Sequence, residues 1–347
     1  MASRPLVVAL RPLWLGDLLT GIPALRALRE RFSDHRVILA APAVLAPLAR
    51  LAEAVDDVVS TRPHASLHHS LHGADVAVDL HGRGPASHRV LLETRPRRLV
   101  AFEHPAIAES AGLPKWREEE HEVQRWCRLL AESGVPADPH RLGLDPRRFP
   151  APASLAGATL IHPGAKSAAR RWPAERFAAV ARAEAATGRR VLLTGGAEER
   201  ALATAVADAA GLPADAVLAG RTSLMQLAGL VASAGRVVVN DTGVAHLATA
   251  FGTPSIILFG PSSPARWGPP PERRRHVALW AGRCGDPHGR VPDPGLLELT
   301  VADVLEALDD LDCQEAARSP ATTTSSTETL ATEQPLQLSV QGNFNGG

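Results

Sequence analysis

At 347 residues the chain has the length of about two domains and ample material for buried cores. An apolar share of 45% beside 21% charged residues describes a globular protein, and it excludes a disordered or fibrous one. Formal net charge is zero, so no global field recruits nucleic acid or an anionic membrane. Arginine supplies almost all of the positive charge, the only lysines being Lys115 and Lys166. Cys127, Cys284 and Cys313 lie far apart without metal spacing; no disulfide framework follows from them, and a reducing cytoplasm fits.

Leu6–Leu10 reads as a first strand, and Arg11 ends its apolar run, which is too short for a signal peptide or a membrane span. Contact with a membrane, if made, would be peripheral. After a loop through Gly16-Asp17, Leu18 to Arg31 has the spacing of an amphipathic helix, with a bend at Pro23 or a start nearer Gly21. Strands are predicted at 36–41, 57–60, 75–80 and 98–102, with helical stretches such as 43–52 between them. Residues 118–133 form a charged helix, and the Pro-rich 134–152 segment reads as an interdomain linker.

A second series follows, with strands at 159–161, 190–194, 216–218, 236–239, 255–259 and 276–280. Helices are predicted at 173–187, 198–210, 223–232 and 244–250, and a last one from about 299 to 311. The Thr-, Ser- and Gln-rich tail from 316 onward has little to bury and reads as disordered. The alternation gives an α/β fold of two doubly wound, Rossmann-like halves, 1–150 and 151–315, facing a central cleft.

The densest chemistry lies at Val237-Val238-Val239-Asn240-Asp241-Thr242-Gly243-Val244-Ala245-His246. A buried strand turns there into a helix whose free N–H groups and positive dipole end suit an anion. Gly243 admits a phosphate closely, the Thr242 hydroxyl can donate, and His246 can add a proton or a hydrogen bond. Asp241 would repel a phosphate, so it is expected to cap the helix or bind amides.

The loop His162–Pro173 brings Lys166, Arg170 and Arg171 between a strand and a helix, as a clamp for a pyrophosphate. Its Gly164-Ala165-Lys166-Ser167 lacks the earlier glycine of a Walker loop. Glu198 or Glu199, after Gly195-Gly196, can take a ribose hydroxyl or simply favour the helix dipole. Asp17 is read as a helix N-cap, which lowers its pKa and leaves it ionised as a base requires.

Other groups read as structural. His64, His68 and His72 would align on a helix as a polar face rather than a metal site. Asp310-Leu311-Asp312 has the form of a metal-dependent transferase signature, but at the end of an amphipathic helix it reads as solvated charge. No Gly-x-Gly-x-x-Gly follows a strand, which argues against a dehydrogenase.

From about Leu6 to Leu311 the chain resembles the heptosyltransferases of glycosyltransferase family 9. Three segments carry the resemblance: Gly16-Asp17 with Pro23-Ala24-Leu25, His162-Pro163-Gly164 through Trp172-Pro173, and Asp241-Thr242-Gly243 with His246, followed by Phe259-Gly260-Pro261. The resemblance implies a GT-B fold and a metal-independent, inverting transfer of a heptose from an ADP-activated donor, with no cofactor. It implies that the C-terminal domain holds the donor and the N-terminal one a glycan, lipid-linked or small-molecule acceptor. Asp17 would be the general base. Thr242, Gly243 and His246 would bind the diphosphate beside Asp241, and Arg170 stands where the family often has a Lys. Arg83 and Arg89 are candidates for the acceptor side. A non-hydrolysing sugar-nucleotide epimerase and a catalytically inactive nucleotide-sugar-binding protein are the competing readings.

Overall fold

A computed structural model of the chain describes residues 4–318. The first half runs β1 (Leu6–Leu10), α1 (Leu15–Arg31), β2 (Arg36–Ala41), α2 (Ala46–Leu51), β3 (Asp57–Ser60), β4 (Val76–Asp79), α3 (Ala86–Glu93), β5 (Arg98–Val100) and α4 (Glu122–Glu132). The second runs β6 (Thr159–His162), α5 (Ala174–Ala186), β7 (Val191–Leu193), α6 (Arg200–Ala210), α7 (Leu224–Ser233), β8 (Arg236–Asn240), α8 (Gly243–Phe251), β9 (Ser255–Phe259), α9 (Pro264–Trp267), β10 (His276–Trp280), α10 (Pro294–Glu298) and α11 (Val301–Arg318).

Each half builds a five-stranded sheet, in the orders β3-β2-β1-β4-β5 and β10-β9-β8-β6-β7, and the pairings are parallel. Parallel strands need apolar residues on both faces, and β1, β2, β8 and β9 supply them in near-continuous runs. The strand order reverses between β1 and β4 in one sheet and between β6 and β8 in the other. Crevices at such switch points, beyond the carboxyl ends of the strands, are where open α/β sheets bind ligands.

The halves are joined by apolar packing. One core cluster includes Leu18, Leu25 and Trp126 from the first half with Leu230, Val239 and Leu247 from the second. The 134–152 segment is packed against both: Leu142, Leu144 and Phe149 are buried, and the Leu144 amide donates to the Ala250 carbonyl at 2.8 Å.

Several boundaries differ from expectation. Helix α1 begins at Leu15 and passes through Pro23 unbroken, because burial of Leu18, Ile22, Leu25 and Leu28 outweighs the one amide donor that proline lacks. Residues 216–218 make an isolated bridge, Val217 to Leu193, instead of a strand. His64, with φ of 61°, and His68, which caps a single turn over His69–Leu71, share no helix face with His72.

The last helix continues to Arg318, through the first residues of the expected disordered tail; the remainder of that tail, 319–347, lies outside the described residues. Asp312 is not merely solvated. It accepts from Arg189 Nη2 at 2.8 Å and from Arg236, anchoring α11 to the foot of β8.

Candidate active site

The carboxyl ends of β6 and β8 carry the loop His162–Pro173 and the start of α8, and one buried side chain ties them together. Asn240 Nδ2 donates to the Pro163 and Gly164 carbonyls at 2.9 and 3.3 Å, while its Oδ1 accepts from the Trp172 amide at 3.2 Å. The loop after β6 is therefore held in a fixed relation to the start of α8.

Thr242 is the N-cap of α8, in extended backbone, and its side chain makes no capping bond. Its Oγ1 is buried without a hydrogen-bond partner. Arg170 reaches the same place: Nη1 donates to the Asp241 carbonyl at 3.2 Å and lies 4.0 Å from Asp241 Oδ2, while its buried Nε–H is unpartnered. Two unsatisfied donors beside a helix N-terminus form a seat for an anion.

Asp241 neither caps the helix nor accepts an amide, contrary to expectation, because Thr242 occupies the cap position. Burial raises its carboxyl to about 6, against the lowering pull of Arg170. His246, one turn into α8, is lowered to about 4 by burial and then by the nearby His121, so it is neutral at physiological pH. It can hydrogen-bond a ligand, but it is not a source of positive charge or of a proton.

The cationic clamp is narrower than expected. Lys166 is exposed, and Arg171 turns back to the Ala165 carbonyl at 2.7 Å, which leaves Arg170 at the helix start. Glu198 is exposed. Glu199 instead faces the loop, with Oε2 accepting from the Gly196 amide at 2.8 Å and lying 3.8 Å from His162 Nε2.

Asp17 meets this seat from the other half. The starts of α1 and α8 abut so closely that a Cβ on Gly16 would stand 2.9 Å from His246 Cδ2, and one on Gly243 2.9 Å from Leu15 Cβ. Asp17 is the third residue of α1 rather than its N-cap, which is Trp14, and its Oδ2 accepts from the Trp14 amide at 3.3 Å. Its side chain remains 25% exposed, so a ligand can reach it. Its pKa is raised, not lowered: burial outweighs both the Arg11 charge and the backbone amides of Trp14 and Asp17, and Glu122 adds to the rise. A base whose affinity for a proton is increased suits the task better than a capped one.

A cavity of about 480 Å³ lies elsewhere, between His121, Leu142, Pro270 and His276, and none of Asp17, Arg170 or Thr242 lines it. The narrow gap at the helix starts is the better candidate, because the unsatisfied donors and the carboxylate converge there.

The model of glycosyltransferase family 9 (heptosyltransferase) matches residues 88–288, more than half of the chain. The chain belongs to glycosyltransferase family 9. Lipopolysaccharide heptosyltransferase 2 of Escherichia coli (strain K12) is 34% identical over 163 residues, which are 45% of this chain and 47% of that protein. The matched stretch thus spans about half the length of the curated relative. Among solved structures, E. coli ADP-heptose lps heptosyltransferase II superposes with a TM-score of 0.71 at 23% identity, over 89% of this chain and 99% of that one. The glycosyl transferase family 9 protein of Veillonella parvula DSM 2008 gives 0.73 at 18% identity, over 90% and 99%. At those identities the superpositions establish the fold, which is the GT-B arrangement of two parallel-sheet halves.

In this family 9 chain several charged and imidazole side chains follow β4. Arg83 is exposed, 4.0 Å from Glu118, and Arg89 is exposed on α3. His88, fully buried, sets Nδ1 against Asp79 Oδ2 and Nε2 against the Phe102 carbonyl, each at 2.7 Å. With acceptors on both sides the ring carries both protons; burial opposes that charge, but the Asp79 bond and charge raise its pKa. Asp79 Oδ1 also takes the His81 amide at 2.8 Å and so fixes the turn that presents His81.

His81 Nδ1 is buried without a partner, and the ring senses the charges of both Arg11 and Asp17. Sequence reading missed Arg11, His81, Glu122 and Asn240. The available signal was polar residues placed at the ends of buried strands: Arg11 after β1, His81 after β4, and Asn240 closing β8.

Proposed function

We propose that the protein transfers a heptose from an ADP-activated donor to an acceptor hydroxyl with inversion at the anomeric carbon. The observation that carries this reading is the abutment of α1 and α8, which sets one reachable carboxylate, Asp17, against an anion seat made by Thr242, Arg170 and the α8 amides. Membership of family 9 supports the class of reaction, and the curated relative is a heptosyltransferase.

Asp17 takes the proton of the acceptor hydroxyl as that oxygen bonds to the anomeric carbon. The bond from that carbon to the diphosphate oxygen breaks, and the negative charge passes to the departing ADP. Arg170, the α8 dipole and the Thr242 hydroxyl stabilise it there, in a site partly closed to water. One carboxylate suffices because a single displacement has no covalent intermediate to resolve.

In this reading the half up to about residue 150 holds a glycan or lipid-linked acceptor, through groups such as His81, Arg83 and Arg89, and residues 151–315 hold the donor. Lys166 and Glu198, exposed in the loops after β6 and β7, would engage the donor only on closure. No helix among the described residues is long and apolar enough to cross a membrane, and we place the work at the cytoplasmic face of the envelope, by peripheral contact.

The test is turnover with ADP-heptose and a set of inner-core and small-sugar acceptors, comparing wild type with Asp17→Asn. The variant should lose transfer by roughly 10²–10⁴-fold while binding ADP within about threefold of wild type. Retained turnover would remove Asp17 from the mechanism. Donor consumption without acceptor, giving an epimerised nucleotide sugar, would favour the epimerase instead.

A further inference from the structure

Arg11 stands immediately after β1 and is only 2% exposed, yet it is a full positive charge. Such a group persists only where its donors are used. Here all are. Nε donates to the main-chain carbonyl of Asp17 itself, and Nη1 to the carbonyl of Leu80 at the end of β4. Nη2 donates to Thr20 Oγ1 at 3.1 Å and to Glu122 Oε1 at 3.0 Å, and lies 3.9 Å from Asp17 Oδ1. Glu122 is itself buried and held by the Trp126 indole N–H at 2.7 Å and by Arg125 Nη1 at 2.5 Å. Arg11 also lies over the Trp126 ring, 4.9 Å from its centre. One guanidinium thus ties β1, α1, β4 and α4 together directly behind Asp17.

We propose that Arg11 and Glu122 are a buried positioning pair for Asp17: Arg11 fixes where the carboxylate points, and Glu122 offsets the Arg11 charge so that the carboxylate stays a competent base. The proposal rests on the reading of Asp17 as the proton acceptor. Its logic is a conflict between two needs. A base on a helix's first turn has to be held rigidly, and arginine does this with donors fixed in one plane. An uncompensated guanidinium beside a carboxylate, however, stabilises the ionised form and weakens it as a base. Glu122 resolves the conflict by bonding the same Nη2 that approaches Asp17.

Two further titratable groups lie near Asp17: His81 beyond β4, whose ring feels the Asp17 charge, and His246 on α8, whose ring packs against Gly16. Burial lowers the pKa of both, so above pH 7 they are neutral and contribute no competing charge. Glu122 keeps its own charge: burial opposes it, but Arg11, Trp126 and Arg125 together hold its pKa below the ordinary value.

The experiment follows the Asp17 carboxyl by carbon-13 NMR of protein labelled at aspartate, the signal being assigned with Asp17→Asn. Glu122→Gln keeps the shape and the bonds to Arg11 and Trp126 but removes the charge. It should lower the Asp17 midpoint by more than about half a pH unit. Arg11→Met should raise it. Arg11→Lys should leave the midpoint near wild type but cut kcat by about tenfold or more, with donor KM within about threefold.

A Glu122→Gln midpoint that stays put or rises overturns the proposal, as does an Arg11→Lys enzyme with wild-type kcat. If the Arg11 variants do not fold, the isosteric Glu122 variant still decides the sign. A role confined to stability would lower thermal midpoints without moving the Asp17 titration in these directions. Because the titration is read without turnover, failure of the base assignment, shown by an active Asp17→Asn, is distinguishable from failure of the pair.

Discussion

Asp241 sets an electrostatic conflict at the proposed anion seat, since a carboxylate adjoins the helix start that a diphosphate would occupy. Burial, partly opposed by Arg170, brings its pKa to about 6, so the group is mostly ionised at pH 8 and half neutral near pH 6. An arriving diphosphate favours the neutral form, and binding should therefore take up a proton. ADP affinity is expected to rise as pH falls from 8 to 6. The terminal phosphate of ADP titrates in the same range, so the decisive comparison is with Asp241→Asn, measured by calorimetry in buffers of different ionisation enthalpy. The variant should bind ADP more tightly than wild type at pH 8 and show a smaller pH dependence. Identical proton uptake in both proteins would place Asp241 outside the binding event.

The two helices that abut at the cleft place unequal demands on their glycines. A methyl at Gly16 would press on the edge of the His246 ring, which can rotate, whereas one at Gly243 would press on Leu15 Cβ, which moves only with the α1 backbone. Gly243→Ala should therefore cost about 1–3 kcal/mol and exceed Gly16→Ala, a difference that scanning calorimetry resolves as several degrees in Tm. Gly16→Ala should instead act mainly through displacement of His246 and weaken ADP binding. Equal, negligible shifts would mean that the halves separate freely at this seam.

The same pair of helices marks what sequence could reveal. Strands β1–β5 and the strand–turn–helix at 237–250 are legible because buried parallel strands require unbroken β-branched or aliphatic runs. The turn at Asp241-Thr242-Gly243 is legible because few residue types suit a helix start of that shape. Which cap bonds form was not legible: Asp17 and Asp241 both read as caps, yet Trp14 and Thr242 occupy those positions. Nor was Arg11 or Glu122, since a lone charge shows its purpose only when elements 111 residues apart meet.

At the scale of the whole molecule, a continuous core across both halves makes neutral burial of histidines a shared constraint. His246 sits at the seam and His276 at the foot of β10, where Nδ1 meets Ser255 Oγ at 2.9 Å and Nε2 is buried without a partner. Burial, with nearby positive charge, lowers both to about 4, against an ordinary 6.5. A histidine depressed in the folded state remains neutral there while the unfolded chain takes up the proton. Its contribution to stability is full above about pH 6.5 and is lost as pH falls toward 4. Asp241, raised in the folded state, acts in the opposite direction over nearly the same range, so the wild-type profile alone does not isolate either effect. Substitution does. His276→Gln should lose less thermal stability than wild type between pH 7 and pH 5, and His246→Gln should behave likewise. Because the two sites share no hydrogen-bond partner, the double variant should show about the sum of the two changes in slope. Thermal midpoints taken across that range in buffers of constant ionic strength test this, and parallel profiles for wild type and both variants would mean that these rings are free to protonate in the folded protein.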